Sequence, residues 1–252
     1  RHIAVFTALF FVCHPIQTEA VTYIWQRVAS LATMLYVLSL VAYVRWRLLG
    51  YQVSASKVQG FLSIKSIFFY LMSVIAAVCA MKTKQIAFTL PVIIVLYEFL
   101  FFNGRLGKRV AYLVPLVLTM PMIPLTLIDI GKPFGDLIGD VSEATRDLTD
   151  MSRLDYLFTE FRVIMTYIRL IFLPVNQNLD YDYPIYRSIF NAEVFLSFVF
   201  LVVMFGVGIY LVYRYRESAR HARLIAFGIF WFFITLSVES SLIPIANVIF
   251  EY

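Results

Sequence analysis

Side chains that could bind a substrate lie in four segments between long apolar runs. The first segment reads HPIQTEAVTYIWQR, the second reads KTKQ, the third includes NLDYDYP, and the fourth reads VESSLIPIANVIFEY. The candidate binding residues in these segments are His14, Glu19, Arg27, Lys82, Lys84, Arg162, Arg169, Asp180, Asp182 and Glu239. Lysine and arginine bind phosphate groups, and carboxylates accept hydrogen bonds from sugar hydroxyl groups. If the segments meet on one side of a membrane, they suit an anionic, lipid-linked substrate.

Two of the arginines belong to a predicted helix over residues 154–173. Its polar residues recur at spacings of four, three, four and three, which places them on one helical face: Asp155, Thr159, Arg162, Thr166 and Arg169. Arginine in an apolar helix is costly unless it is paired or hydrated. We therefore expect an amphipathic helix that lies in the membrane interface or enters it partway, with its arginines facing a water-filled cavity. Pairing of the arginines with Asp155 or with another acid of the same loop is the structural alternative.

The other candidates also have structural alternatives. For His14 the alternative is a cap on a helix end, because a proline follows it. For Lys82 and Lys84 it is contact with lipid headgroups, and for Asp180 and Asp182 it is a solvated turn.

The overall composition predicts a membrane protein. Of the 252 residues, 61% are hydrophobic and 15% are charged, whereas a soluble domain carries roughly 25% charged residues. Mean hydropathy is +0.82. Most apolar runs approach the length that an α-helix needs to cross a bilayer; they cover 2–13, 28–44, 66–81, 85–102, 109–129, 192–213 and 222–238. These runs predict an all-α polytopic protein with about seven transmembrane helices.

The basic residues predict the orientation of these helices. Three loops contain clusters of lysine and arginine: 45–65, 105–109 and 214–223. Such clusters are typical of cytoplasmic loops. Four segments then lie on the outer side: 14–27, 82–84, 130–191 and 239–252. The clustering accounts for the net charge of +5 without a nucleic-acid partner.

Four stretches of the chain resemble the membrane region of bacterial tetratricopeptide-repeat (TPR) proteins. They read HPIQTEAVTYIWQRVASLATMLYVLSLVAYVR, AMKTKQIAFTLPVIIVLYEFLFF, FRVIMTYIRLIFLPVNQNLDYDYP and SVESSLIPIANVIFEY, in the family's order. Those proteins are similar to the eukaryotic transmembrane-and-TPR O-mannosyltransferases of the GT-C glycosyltransferase superfamily. The resemblance implies a GT-C-like fold over residues 1–252, within a longer protein whose further membrane helices precede Arg1 and whose TPR array follows Tyr252.

The resemblance also implies an activity. A GT-C enzyme of this type transfers a sugar from a polyprenyl-phosphate donor to a protein on the outer face of the membrane, and cations stabilise the departing phosphate. The catalytic acid is expected upstream of Arg1. The implied substrate-contacting residues are His14, Glu19, Arg27, Lys84, Arg162, Asp180, Asp182 and Glu239.

The same resemblance sets the expected location and partners. It implies the bacterial inner membrane, with residues 130–191 in the periplasm. The expected partners are membrane lipid, a polyprenyl-phosphate sugar as substrate, and a protein acceptor or partner bound through the TPR region. No cofactor is expected, and a divalent metal ion is left open. A metal centre built from histidine and cysteine is not expected, because the three histidines lie far apart in the sequence.

A non-catalytic scaffold or accessory subunit of a larger membrane assembly is the alternative function. Where bacterial relatives commonly read T-K-E, this chain has Thr83, Lys84 and Gln85, so an outer carboxylate is missing. A transporter is a weaker alternative, because the sequence contains no duplicated half with paired broken helices.

Overall fold

The computed structural model describes residues 2–24, 26–55, 64–122, 153–177, 184–215 and 220–239, and these contain helices and connecting segments without a β-strand. The helices are α1 (His2–Cys13), α2 (Thr18–Thr22), α3 (Gln26–Ala55), α4 (Ile64–Thr83), α5 (Leu90–Phe101), α6 (Leu106–Val117), α7 (Arg153–Phe172), α8 (Ala192–Arg214) and α9 (Arg220–Glu239). Short 3-10 helices precede α2 and α5, at Pro15–Gln17 and Gln85–Thr89. The predicted all-α class is confirmed for the described residues.

Several of these helices are apolar enough to lie in a membrane. Three are also long enough to cross it: Gln26–Gly50 within α3, Ile64–Thr83 and Ala192–Arg214. The pair Ala4–Cys13 and Pro15–Thr22, bent by 54°, would add a fourth if it forms one span. Two further apolar helices, Gln85–Phe101 and His221–Ser237, are shorter. The described residues therefore support a multi-pass membrane protein, whereas the predicted count of seven spans is not confirmed.

The predicted run 109–129 is only partly helical where it is described. Helix α6 contains Pro115 and ends at Val117, and a turn continues from there to Pro121. Proline lacks the backbone N–H that would continue the helical hydrogen bonds, and its ring clashes with the preceding turn. Pro115 and Pro121 thus lie near the end of α6 and in the turn that follows it. Residues 123–129 lie outside the described part.

The chain forms two units. Unit 1 comprises residues 1–27, 133–206 and 239–252, and unit 2 comprises 28–132 and 207–238. The division falls inside α8.

The core of unit 2 is formed where α3, α4, α5 and α6 pack together. Tyr43, Ala77 and Ile93 are fully buried in it. Small residues let α3 and α4 approach closely, and two serines hydrogen-bond across the contact. Ser39 Oγ donates to the Ser73 carbonyl at 2.8 Å, and Ser73 Oγ donates to the Ser39 carbonyl at 2.9 Å. These reciprocal bonds satisfy both hydroxyl groups in the apolar interior.

Two glycines of α8 provide a test of its packing on α9. A Cβ atom at Gly208 would lie 3.2 Å from side-chain atoms of Ile229 and Phe230, whereas one at Gly206 would meet nothing within 4 Å. Gly206→Ala should therefore gain up to about 1 kcal/mol of helix propensity. Gly208→Ala should be less stable than Gly206→Ala by about 1–3 kcal/mol, because the added methyl group overpacks the contact. Reversible unfolding of both variants in mixed micelles measures this difference; equal stabilities would contradict close α8–α9 packing.

Candidate functional site

Helix α7 carries the arginines of the predicted outer site. It spans Arg153–Phe172, as the polar periodicity over 154–173 predicts. The Leu173 N–H donates to the Arg169 carbonyl at 2.6 Å, and Pro174 then prevents a further turn. Val163 and Leu170 are each 1% exposed, so one side of the helix is packed in unit 1. The position of α7 relative to the membrane remains a prediction.

Arg162 takes part in a cluster with Glu193 and Tyr186. Arg162 Nε lies 3.3 Å from Glu193 Oε2, and the Tyr186 hydroxyl donates to the same oxygen at 2.7 Å. The Arg162 side chain is 38% exposed and that of Glu193 is 59% exposed, so the cluster is open to its surroundings. Arg162 is therefore paired with an acid, as the structural alternative expects, but the acid is Glu193 in the first turn of α8 and not Asp155 or an acid of the loop 130–191.

Neighbouring backbone groups hold this cluster in place. The Tyr186 N–H donates to Thr159 Oγ1 at 3.1 Å, which ties the segment before α8 to α7. The Glu193 N–H donates to Asn191 Oδ1 at 3.0 Å, as at the start of a capped helix. Glu193 lies in the first turn of α8, where a negative charge is favoured by the helix dipole. Side chains of α7 and of the segment that leads into α8 are thus oriented together.

The arrangement leaves donors and acceptors available for a ligand. Within the described ranges, the ion pair of Arg162 uses Nε, and neither Nη atom pairs with a carboxylate. Among the same residues, Glu193 receives its hydrogen bonds on Oε2 and none on Oε1. Guanidinium N–H groups bind phosphate, and a carboxylate oxygen accepts from a hydroxyl group. This cluster has the chemistry needed to bind an anionic group with an adjacent hydroxyl-bearing group.

His14 brings the first outer segment to the end of α7. Its Nδ1 accepts from the Ile16 N–H at 3.3 Å, which confirms the helix-cap interpretation. Nε2 lies 3.0 Å from the Ile171 carbonyl, and since Nδ1 is an acceptor, Nε2 is the atom that donates. The same helix end carries Arg169, which is exposed and has no ion-pair partner among the described residues. The first and third of the segments predicted to be outer are therefore in contact here, while their side of the membrane stays a prediction.

Lys82 and Lys84 lie at the tight connection between α4 and α5. Lys82 is exposed in the last turn of α4, where a positive charge is favoured by the helix dipole. Lys84 is partly exposed and has extended backbone angles, and the next 3-10 helix begins at Gln85. The connection between the two helices is thus short. Both lysines belong to unit 2, so their relation to the arginines of α7 stays a prediction.

The structure describes the remaining predicted site residues only in part. Arg27 is exposed in the first turn of α3. Glu19 lies in α2 and Glu239 ends α9, but their side chains are outside the described part. Asp180 and Asp182 also lie outside it. Within the described ranges, no three histidine, cysteine or acidic side chains are grouped so that they could hold a metal ion.

Glu193 and Tyr186 were not singled out by sequence reasoning. The pattern Asn191-Ala192-Glu193 is typical of a helix start, so the position of Glu193 in α8 could have been predicted. Its pairing could not, because Arg162 is 31 residues away. Tyr186 belongs to a tyrosine-rich stretch. Tyrosines are common at membrane–water interfaces, so the sequence alone does not single out Tyr186 as part of a site.

Tyr186 provides a pH test of the cluster. Its hydrogen bond to the negatively charged Glu193 raises the pKa of Tyr186, and desolvation adds to this. The neutral hydroxyl stabilises the fold fully below the ordinary tyrosine pKa of about 10, and this contribution is lost as the pH rises through the higher value of the folded state. The absorbance difference between wild type and Tyr186→Phe isolates the ionisation of Tyr186, which should occur above pH 10. The difference between Glu193→Gln and the double variant Glu193→Gln/Tyr186→Phe should show this ionisation at lower pH. An unchanged titration in Glu193→Gln would contradict the bond.

A second charged cluster lies in unit 2, around the fully buried side chain of Glu98 in α5. Arg47 makes a two-point contact, from Nε to Oε2 at 2.8 Å and from Nη2 to Oε1 at 2.7 Å. Arg109 Nε donates to Oε1 at 3.2 Å, and the Tyr43 hydroxyl donates to Oε2 at 3.1 Å. One carboxylate thus joins α3, α5 and α6.

Arginines also bind the last carbonyl groups of α5. Arg109 Nη2 donates to the Glu98 carbonyl at 2.7 Å, and Arg223 Nη1 donates to the Leu100 carbonyl at 3.0 Å. The Glu98 carbonyl also accepts from the Phe102 N–H at 3.1 Å. Cations at a helix C-terminus are favoured by the helix dipole. Arg47 and Arg109 also lie over the rings of Phe102 and Phe99, at 4.7 and 4.2 Å. This second cluster is structural: it closes the end of α5 and leaves no carboxylate oxygen without a donor.

Comparison with known proteins adds one relative. The chain is 34% identical over 109 residues to the human protein O-mannosyl-transferase TMTC1. The match includes 43% of this chain but only 12% of the human protein. No protein-family model and no solved structure matches the chain. The relationship is therefore a partial similarity to an O-mannosyltransferase, within a chain whose apolar helices are suited to a membrane.

Proposed function

We propose that the protein is a GT-C-type membrane glycosyltransferase that transfers a sugar from a polyprenyl-phosphate donor to a protein on the outer face of the bacterial inner membrane. The observation that carries this proposal is the 34% identity over 109 residues to a protein O-mannosyl-transferase. Mannose is accordingly the first sugar to test. The general base is assigned to no residue of this chain.

The cluster on α7 supports a role in binding the donor. Arg162 and Arg169 are seven residues apart, about 10 Å along one helical face. Their guanidinium groups can bind the donor phosphate as its negative charge increases during departure, which is the interaction that lowers the barrier to transfer. Glu193 and Tyr186 hold Arg162 in position. Lys84 is a further proposed phosphate-binding residue, together with the remaining polar residues of the outer segments.

The second candidate function is a non-catalytic scaffold that retains the GT-C-like fold. Its supporting observation is the ion pair between Arg162 and Glu193, because a purely structural arginine needs such a partner. Gln85, which stands where relatives commonly carry glutamate, agrees with this alternative.

A transfer assay separates the two functions. The full-length protein is reconstituted in liposomes with polyprenyl-phosphate [³H]mannose and membrane proteins of its host, and label in the protein fraction is counted. Incorporation that depends on both the protein and the lipid-linked donor is the expected result. Label at background level, from a preparation shown to be folded, would favour the scaffold.

A further inference from the structure

A small pocket in unit 2 lies between α3 and α4, and its lining residues are not among those proposed to bind the donor. It has a volume of about 180 Å³ and is lined by Arg45, Leu48, Leu49 and Phe69. The three residues from α3 are spaced i, i+3 and i+4, so they share one face of that helix. Leu48 is 47% exposed, so this apolar wall is accessible from outside the protein. The pocket thus combines three apolar side chains with one cation.

Arg45 differs from its neighbour Arg47 in having no partner among the described residues. Arg47 is bound to Glu98 by two hydrogen bonds, whereas Arg45 is exposed and no described residue pairs with it. Arg45 is therefore the polar lining residue of the pocket, and it has no partner among the described residues.

We propose that this pocket binds an anionic phospholipid, with the lipid phosphate on Arg45 and the first part of an acyl chain against Leu48, Leu49 and Phe69. Charge complementarity favours a phosphate at the unpaired guanidinium, and the apolar wall favours a lipid over free phosphate. The pocket is smaller than the roughly 300–1,000 Å³ of sites that enclose a small-molecule ligand. It therefore holds one end of the lipid, while the remaining chain lies along the apolar surface. Arg45 belongs to the basic segment 45–65, which is predicted to be cytoplasmic.

Native mass spectrometry of the delipidated full-length protein tests this site, with dioleoyl-phosphatidylglycerol as the probe. Arg45→Gln should weaken the tightest binding about tenfold, because the unpaired cation is lost. Leu48→Trp, which fills the pocket but keeps Arg45, should weaken it as well. The matched control is Arg105→Gln, an exposed arginine at the start of α6, which should bind like the wild type.

Three outcomes would overturn the proposal. The first is equal phosphatidylglycerol binding by Arg45→Gln and the wild type. The second is binding of neutral dioleoyl-phosphatidylcholine as tightly as phosphatidylglycerol. The third is displacement of the lipid by inorganic phosphate at a similar concentration, which would show a site for phosphate alone.

Discussion

Replacing Glu98 by alanine should lower the free energy of unfolding by about 3–5 kcal/mol. The carboxylate is fully buried, and the two arginines paired with it are each only 12% exposed. Once Glu98 is removed, the largely buried positive charges of Arg47 and Arg109 have no counter-charge. Tyr43 also loses the acceptor of its hydrogen bond. Reversible unfolding in mixed detergent micelles, followed by tryptophan fluorescence, measures the loss.

Adjacent residues of α6 provide the matched control. Arg109→Ala removes a partner of Glu98, whereas Lys108→Ala removes an exposed cation next to it, so only the first should be strongly destabilising. A triple variant, Glu98→Leu with Arg47→Met and Arg109→Met, should recover much of the lost stability, because apolar side chains replace the whole ionic group. If Glu98→Ala were as stable as Lys108→Ala, the buried cluster would contribute nothing measurable.

Replacing Arg162 or Lys84 by alanine should lower sugar transfer at least about 100-fold, which is the loss seen when one stabilising donor is removed from a transition state. The reason is that each cation is proposed to stabilise the phosphate as it departs. The measurement is the liposome transfer assay with full-length variants, each at equal folded amounts judged by thermal unfolding.

Two further variants show whether Arg162 acts on the substrate. Arg187→Ala removes another exposed arginine, which follows Tyr186 and has no described partner, and should leave transfer unchanged. Glu193→Gln keeps Arg162 but weakens its orientation, so it should reduce transfer less than Arg162→Ala does. Equal losses in Glu193→Gln and Arg162→Ala would point to a structural pair, and full activity in both Arg162→Ala and Lys84→Ala would remove the phosphate-binding role.

Local sequence patterns predicted the helices well. The apolar run 192–213 became α8 (Ala192–Arg214), and the run 66–81 became α4 (Ile64–Thr83). The polar periodicity over 154–173 located α7 within one residue at each end. These features depend on hydrophobic content and periodicity over neighbouring residues, which a single sequence contains.

Contacts between distant segments were predicted less well. Arg162 was expected to need a partner, but nothing local distinguishes Glu193 from other acids of the same region. Glu98 could be located near a helix end from its sequence position, yet its pairing with Arg47 and Arg109 depends on how three helices pack. The number of membrane spans is also a tertiary property where helices are short or bent, as with α5 and the pair α1–α2.

The order of Arg47, Glu98 and Arg109 along the chain affects how the protein is synthesised. Arg47 is made 51 residues before Glu98, and Arg109 follows Glu98 by 11 residues. When α5 leaves the ribosome, its carboxylate can already meet one arginine, while the other is still unmade. The Glu98 carbonyl also lacks its bond from Arg109 until α6 emerges, and the Leu100 carbonyl lacks its bond from Arg223 until α9 emerges. We therefore expect α5 and α6, which the sequence predicts to belong to membrane helices, to insert together as a hairpin.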